Sequence, residues 1–214
     1  MDCISIGVLG SGNVGRTLAA GLAGAGHSVT VGSRTPDGPE LAAWGAEAGI
    51  ELADPVCSAA SAEVVILATA WEGAQTTLDT AASALAGKTL IDATNPLVFA
   101  DGLSLALGHS DSGGEQVQRW APQARVVKAF NTVGFELMNR PDLPDGPGTL
   151  FIAGDDEEAK AVTTTLAADL GWEVHDCGGL VGARLTEPLA MIWIEHAIRS
   201  GSRSHALRLI GAGS

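Results

Sequence analysis

The hydrophobic positions of this chain alternate between short strand-like runs and longer segments with helical spacing, from one end to the other. Runs rich in Val, Ile and Leu, bounded by turn or capping residues, predict strands, and the first six are expected to form one sheet. These six strands are predicted at residues 4–9, 28–32, 50–53, 64–69, 89–93 and 126–130.

The segments between these strands carry apolar residues at helical spacing. They predict helices at residues 14–25, 72–85 and 115–120, and at most a short helix at 54–61. Further on, predicted strands at 149–153 and 172–177 flank a helix at 156–170 that begins on an acidic turn. The Pro- and Gly-rich residues 141–148 predict a loop, and 183–200 a long, largely apolar helix followed by a short amphipathic tail.

Strands and helices that alternate in this way are typical of a parallel sheet with helices on both faces. We therefore predict an α/β fold: a Rossmann doubly wound parallel sheet with a small C-terminal helical extension. Residues 1–140 would form the dinucleotide-binding domain. Residues 141–214 would form a small α/β extension with C-terminal helices, packed with it as one compact unit.

Composition and charge narrow the class of protein. Hydrophobic residues make up 46% of the chain and charged residues 17%, which favours a well-buried globule over a disordered chain or a coiled coil. The net charge of −13, with no basic run, disfavours nucleic acid and anionic membranes as partners. The start at Met1 lacks a basic leader, and no apolar run approaches the roughly 20 residues that span a bilayer, so we expect a cytoplasmic protein.

Cysteine and histidine give no sign of a metal site. Cys3, Cys57 and Cys177 lack the spacing of a disulfide framework or a zinc site, and we expect three buried free thiols. The five histidines are scattered, so no metal is predicted. The apolar helix at 183–200 predicts a homodimer that buries Met191, Trp193 and Ile194 or their neighbours.

A glycine motif follows the first predicted strand and opens the first helix, which is the setting of a dinucleotide-binding turn. In such a motif Gly10 allows the tight turn, Gly12 lets a pyrophosphate approach the backbone, and Gly15 lets the helix lie close to the strand. The helix N-terminus then offers free N–H groups to the anion. The whole motif consists of Gly10, Ser11, Gly12, Asn13, Val14 and Gly15.

The end of the second strand indicates which dinucleotide is bound. An NAD enzyme places Asp or Glu there against the ribose 2′-hydroxyl, whereas this chain has Ser33, Arg34 and Thr35. A guanidinium with neighbouring hydroxyls can neutralise a 2′-phosphate and donate several hydrogen bonds to it. The alternative is a solvated surface arginine, and we predict NADP(H) as the cofactor.

Two kinds of dehydrogenase chemistry are excluded by residue types. The chain contains no Tyr, so it lacks the Tyr-Lys acid of short-chain dehydrogenases, and it lacks the ligands for zinc alcohol chemistry. A β-hydroxyacid dehydrogenase of the 6-phosphogluconate type would need a larger helical lobe after the Rossmann domain than the remaining residues provide. A compact hydride-transfer enzyme is left.

Taken in order, the motifs resemble one family: the deazaflavin-dependent (coenzyme F420) NADP oxidoreductases, with the related cytoplasmic domain of the STEAP ferric reductases. The resemblance covers nearly the whole chain. Beyond the glycine motif and Arg34, it is carried by the stretches at residues 26–27, 70–72, 92–97, 126–132, 154–156 and 183–188.

The resemblance implies hydride exchange between the nicotinamide C4 and the deazaflavin C5, a reaction accelerated by alignment and exclusion of water. It implies NADP contacts at Ser11, Asn13, Ser33 and Arg34. The residues on the ribose and nicotinamide side would be Thr69, Ala70 and Trp71. Acceptor-pocket candidates, some of which would otherwise be ordinary turn or packing residues, are Asn95, Pro96, Leu97, Lys128, Asn131, Thr132, Val133, Pro188 and Ala190, and Asn95 is also a candidate cofactor contact.

The chain departs from the archaeal deazaflavin enzymes in the acceptor half. Those proteins have His where Asn131 stands, and Ser and Thr where Pro188 and Ala190 stand, so this pocket is less polar. Three functions stay open: hydride transfer to a deazaflavin, NADPH-dependent reduction of a small imine, enone or free flavin, and non-catalytic NADP sensing. The partner is in each enzymatic case a small-molecule hydride acceptor.

Two charged residues have alternative interpretations. Lys128, which leaves a buried strand, could donate a proton, although such a lysine more often extends to the sheet edge. Glu187, early in a helix, is expected to interact with a helix dipole or with Arg184 rather than to act as an acid.

Overall fold

In the computed structural model, which describes residues 3–100, 102–144 and 146–211, eight strands form one twisted sheet and two more form a separate hairpin. The strands are β1 (Ser5–Leu9), β2 (Ser28–Gly32), β3 (Glu51–Ala53), β4 (Val64–Leu67), β5 (Thr89–Asp92), β6 (Leu97–Ala100), β7 (Gly102–Leu105), β8 (Arg125–Lys128), β9 (Thr149–Gly154) and β10 (Glu173–Asp176). The helices are α1 (Asn13–Gly24), α2 (Pro39–Ala48), α3 (Pro55–Ala60), α4 (Trp71–Leu85), α5 (Gly113–Trp120), α6 (Phe135–Met138), α7 (Glu157–Asp169) and α8 (Ala183–Ser200), with a 3-10 turn at Leu180–Gly182 before α8.

The order of the main sheet is β10-β9-β8-β5-β4-β1-β2-β3, and the predicted Rossmann fold is confirmed. Six neighbouring strands of this sheet are parallel, as predicted: β8, β5, β4, β1, β2 and β3. The two further predicted strands extend this sheet at one edge, where β9 pairs antiparallel with β8 and β10 runs parallel to β9. Among the described residues between β8 and β9, the only helix is the four-residue α6, so this connection lacks the long crossover helix that usually joins parallel neighbours.

Helices cover both faces of the sheet and bury two apolar clusters. One cluster packs α1 and α7 against the sheet through residues such as Leu18 and Leu166. The other packs α3, α4 and α5 against the opposite face through residues such as Leu78 and Val117. The polar ends of β1, β4, β5 and β8 are thereby left at one edge, where their carboxyl ends meet.

Several elements were not predicted. Helix α2 buries only Leu41 and Gly45, so its apolar pattern is weak. Strands β6 and β7 form an antiparallel hairpin that is largely exposed, and exposed strands need no alternation of apolar and polar residues. The predicted loop at 141–148 has no helix or strand up to Gly148; its residue 145 lies outside the described residues, as do residues 1, 2, 101 and 212–214.

The three cysteines are free, but the expectation that they are buried is wrong. Cys3 and Cys57 are exposed and Cys177 is half-buried, because all three lie outside the apolar clusters. None of the described helices is long and apolar enough to cross a bilayer.

Helix α8 also differs from expectation. Trp193 is buried within its own chain, where it packs on Gly134 and stacks on His205 of the tail at 4.6 Å between ring centroids. The exposed apolar side chains of α8 are instead Leu185, Ile192 and Ile198. Trp193 is therefore not part of an exposed surface, and the homodimer stays a prediction.

Candidate dinucleotide and acceptor site

The glycine turn is held by backbone packing at two of its three glycines. Gly10 has φ of 128°, which favours glycine, and a Cβ there would overlap the carbonyl of Ala68. A Cβ on Gly15 would overlap the carbonyl oxygen of Gly10. This packing supports the role predicted for Gly10 in the tight turn and the role predicted for Gly15 in the close approach of α1 to β1.

Gly12 differs from these two glycines because a Cβ added to it would meet no atom within 4 Å. It is the N-cap residue of α1 and supplies no side-chain cap, and the first turn of α1 carries no acidic residue. The N–H groups at the start of this 12-residue helix therefore face an open approach with a partial positive charge. This geometry fits a dinucleotide pyrophosphate.

A small hydroxyl network lies beside the turn, after β2. The Ser33 hydroxyl accepts hydrogen bonds from Ser11 Oγ and from the Thr35 backbone N–H, both at 3.2 Å. Both lone-pair positions of Ser33 Oγ are thus used, and its own O–H is left to donate. Arg34 is exposed beside it, so the predicted 2′-phosphate contacts lie together at this strand end.

The residues after β4 begin the other half of the site. Thr69 Oγ1 is buried and has no hydrogen-bond partner among the described residues. Ala70 is the N-cap of α4, and Trp71, its first residue, packs on Trp120 of α5 with 5.2 Å between ring centroids. The Trp71 ring therefore joins α4 to α5 and is only half-buried.

Asn95 and Asn131 form a reciprocal amide pair across the ends of β5 and β8. Asn131 Nδ2 donates to Asn95 Oδ1 at 3.1 Å, and Asn95 Nδ2 donates to the Asn131 carbonyl at 2.8 Å. Phe130, directly before Asn131, has φ of 61°, an uncommon backbone conformation for a bulky residue. The pair brings together two of the predicted acceptor residues.

The other acceptor-pocket candidates after β5 and β8 differ from one another in burial and in the residues around them. Pro96 is buried next to Gly113, and Leu97 is half-buried at the start of β6. Thr132 and Val133 are both buried, and Val133 belongs to an apolar cluster, which gives it a packing role.

Pro188 and Ala190 do not share a surface. Pro188 is exposed on α8 and lines a cleft of about 720 Å³ between α8 and the segment after β7, whereas Ala190 is buried. Positions two apart on a helix point to nearly opposite sides, so only one of them can face this cleft. A second cleft of about 670 Å³ lies near the start of β8, at the opposite edge of the sheet from the glycine turn.

Beneath the amide pair lies a fully buried ion cluster. Lys128 Nζ is 2.9 Å from Asp92 Oδ2 and 2.9 Å from Glu187 Oε1, and it donates to the Thr94 carbonyl at 2.6 Å. Burial disfavours the charged lysine, but attraction to Asp92 and Glu187 outweighs it and raises the pKa of Lys128. Lys128 is thus a charged group sealed from solvent and does not extend to the sheet edge.

Of the two predicted alternatives for Glu187, the structure has the interaction with a helix dipole. Its two oxygens accept from the backbone N–H groups of Gly113 and Gly114, at the N-terminus of α5. It does not pair with Arg184, which instead binds Glu115 through two hydrogen bonds of 2.8 and 2.6 Å. Hydrogen bonds from Arg184, opposed by partial burial, lower the pKa of Glu115.

Sequence reasoning missed Asp92 as a member of this cluster. Asp92 and Lys128 are register partners in neighbouring strands, and each is the only charge that ends its apolar run. Opposite charges closing two buried strands were the available signal, but using it requires knowing that β5 and β8 are neighbours.

Comparison with known proteins shows the family to which this chain belongs. The model for "NADP oxidoreductase coenzyme F420-dependent" matches residues 5–96. The F420-dependent NADP reductase of Methanothermobacter marburgensis is 32% identical over 224 residues, covering 96% of this chain and 98% of that protein. The chain belongs to the coenzyme F420-dependent NADP oxidoreductase family. It is therefore an NADP-dependent oxidoreductase, as predicted.

Two further proteins are similar to this chain. The crystal structure of a candidate F420-dependent NADP reductase from Arthrobacter sp. FB24 matches with a TM-score of 0.91 and 38% identity, covering 97% of this chain and 100% of that one. Metalloreductase STEAP3 of Rattus norvegicus is 34% identical over 187 residues, 87% of this chain. The chain spans 36% of the length of STEAP3, so the likeness concerns one part of that protein.

Proposed function

We propose that this protein transfers hydride between NADP(H) and a deazaflavin of the coenzyme F420 type. The observation that carries the reaction type is the burial of Lys128. Its side chain has no exposed surface and is held by two carboxylates, so it is not available as a proton donor. Hydride exchange between two flat rings needs alignment rather than a protein acid. The names of the family relatives support deazaflavin as the second ring.

The NADP half of the proposal uses the glycine turn and the hydroxyl network. The uncapped start of α1 beside Gly12 would bind the pyrophosphate. Arg34 and the free O–H of Ser33 would bind the 2′-phosphate, one by charge and one by a directed hydrogen bond. A carboxylate at this position would repel the phosphate.

When bound, NADPH would supply a hydride from C4 of its nicotinamide to C5 of the deazaflavin, and the balancing proton would come from solvent to a ring nitrogen of the deazaflavin. The contribution of the chain is to fix the ring positions. The Asn95–Asn131 pair spans two strand ends, and the ion cluster below it ties both strands to α5 and α8. The amide pair therefore cannot move relative to α5 and α8 unless buried charge contacts of the ion cluster are broken.

A second candidate function is NADPH-dependent reduction of a small apolar acceptor or a free flavin. It is favoured by the cleft next to Pro188, whose lining includes Leu105, Val181 and Leu185. Arg184, which also lines that cleft, is already paired with Glu115 and so offers little charge to an anionic tail.

The test is anaerobic mixing of the protein with NADPH and oxidised F420 while the absorbance of the oxidised deazaflavin is followed. We expect rapid bleaching with NADPH and much slower bleaching with NADH. FMN, FAD and a panel of imines and enones form the comparison set. Turnover only with members of that set would favour the second function, and cofactor binding with no turnover of any acceptor would indicate a sensor.

A further inference from the structure

Asn131 carries an acceptor atom whose hydrogen-bonding capacity is unused. The residue is 4% exposed, and its Oδ1 is buried with no partner among the described residues. A buried carbonyl oxygen without a donor is costly, and native structures retain few of them. Such an atom at the edge of a proposed ligand site indicates a ligand donor.

The orientation of this amide is fixed by its neighbours. Asn131 Nδ2 donates to Asn95 Oδ1 and to the Thr186 carbonyl, each at 3.1 Å. Turning the amide over would place Oδ1 against the Thr186 carbonyl, which can only accept. The unpartnered atom is therefore the oxygen, and the missing partner is an N–H or O–H donor.

The position of Asn131 in the sheet indicates which part of a ligand would reach it. Arg34 follows β2, on one side of the glycine turn after β1, whereas β4, β5 and β8 follow on the other side. Strands are about 4.8 Å apart, so the end of β8 lies roughly 14 Å from that of β1, toward the nicotinamide end of a dinucleotide. Thr69 Oγ1, the other buried unpartnered atom at this edge, follows β4 on the same side.

We propose that Asn131 Oδ1 accepts a hydrogen bond from an amide-type N–H of a bound ring. Two groups in the proposed reaction share this chemistry: the nicotinamide carboxamide and the N–H of the deazaflavin pyrimidinedione. Asn131 would then determine specificity for rings that carry such a donor. The inference rests on the proposed function for its choice of rings.

The test removes the donor from each ring in turn. The analogue 3-acetylpyridine-adenine dinucleotide phosphate keeps the carbonyl of the carboxamide but replaces its NH₂ by a methyl group. An N3-methyl deazaflavin removes the other N–H. With the wild-type protein, we expect a loss of about tenfold to a hundredfold for the ring that Asn131 contacts and little loss for the other. Dissociation constants are measured for the dinucleotide and kcat/KM for the deazaflavin.

Asn131→Asp and Asn131→Leu form the matched variants. Both lose the Nδ2 hydrogen bonds to Asn95 and Thr186, but only Asp keeps an oxygen acceptor at the position. Discrimination against the altered ring should persist in Asn131→Asp and disappear in Asn131→Leu. A purely structural role would weaken binding in both variants without changing the ratio between the normal and altered rings.

Two results would overturn the inference: a wild-type protein indifferent to both altered rings, or equal discrimination in Asn131→Leu and wild type. The first uses no variant and applies even where Asn131→Leu does not fold. The dinucleotide arm measures binding alone, so it remains informative where no acceptor is turned over. A protein that turns over no acceptor would count against the proposed function and not against this inference.

Discussion

Lys128 Nζ lies 2.9 Å from Asp92 Oδ2, and neither side chain has any exposed surface. The two residues are register partners at the ends of β5 and β8. Glu187 of α8 contributes a second carboxylate, 2.9 Å from Lys128 Nζ. One buried cation thus serves two buried carboxylates. Each carboxylate has further donors: backbone N–H groups at the start of α5 for Glu187, and the N–H and hydroxyl of Thr94 for Asp92.

Replacing Lys128 with Met should destabilise the fold by about 3–5 kcal/mol, because two buried carboxylates lose the one cation that pairs with them among the described residues. Chemical denaturation at neutral pH measures this. Adding Asp92→Asn and Glu187→Gln to the variant should recover much of the loss, since no buried charge then remains. A Lys128→Met protein as stable as wild type would show that the cluster contributes nothing.

Lys160 is the matched control for Lys128. It also lies between two carboxylates, Glu157 and Asp176 at 2.8 Å each, but both are substantially exposed. Water can replace the lysine there, so Lys160→Met should cost only a small fraction of the effect at Lys128. Equal losses at the two positions would contradict the importance of burial.

The glycine turn gives a second prediction, in which fold and ligand binding separate. Gly15→Ala should destabilise the protein, because its Cβ would overlap the Gly10 carbonyl. Gly12 has φ of −77° and open space around it, so Gly12→Ala should leave the melting temperature nearly unchanged. The same methyl group should nevertheless weaken NADPH binding about tenfold or more by obstructing the pyrophosphate.

Thermal melting and cofactor titration of both glycine variants distinguish these effects. Normal NADPH affinity in Gly12→Ala would mean that the dinucleotide does not approach the backbone at Gly12.

Arg34 gives a third prediction, on cofactor selectivity. Arg34→Ala should weaken NADPH binding by about tenfold to a hundredfold, as expected for a lost charged hydrogen bond, and change NADH binding little. Arg16→Ala is the control in charge: Arg16 bonds the Ser11 carbonyl and pairs with Glu40, so its loss should not separate the two cofactors. Equal weakening of NADPH and NADH in Arg34→Ala would contradict the assignment to the 2′-phosphate.

Local sequence signals were sufficient for the Rossmann part of the fold. The buried parallel strands have continuous apolar runs, and the glycine motif lies between a strand and a helix, so spacing alone identified β1, α1 and the glycine turn between them. The direction of β9 was not available from such signals, because antiparallel pairing with β8 depends on how the chain from α6 to β9 returns to the sheet. Helix α2, with few buried residues, has no strong pattern of its own.

The candidate site divides in the same way. Ser33 and Arg34 follow from a position that the motif specifies, about 20 residues beyond the turn. The partners of Lys128 and Arg184 did not follow, because each lies far away in the chain and is selected by packing: Glu187 reaches α5, and Arg184 reaches Glu115. Charge pairing among several nearby carboxylates is decided by geometry that sequence spacing does not contain.

The Glu115–Arg184 pair gives a fourth prediction, on the pH dependence of stability. The folded-state pKa of Glu115 is lowered from 4.5, chiefly by hydrogen bonds from Arg184, so its contribution is present above about pH 4.5 and is lost as pH falls through the lowered value. Glu115→Gln should therefore be less stable than wild type near neutral pH, and the difference should shrink as the pH falls below about 4. Urea unfolding across this range measures it, with Glu47→Gln, an exposed residue of α2, as the control that should show no such convergence. A constant difference between Glu115→Gln and wild type at all pH values would mean that the ionised carboxylate is not what joins α5 to α8.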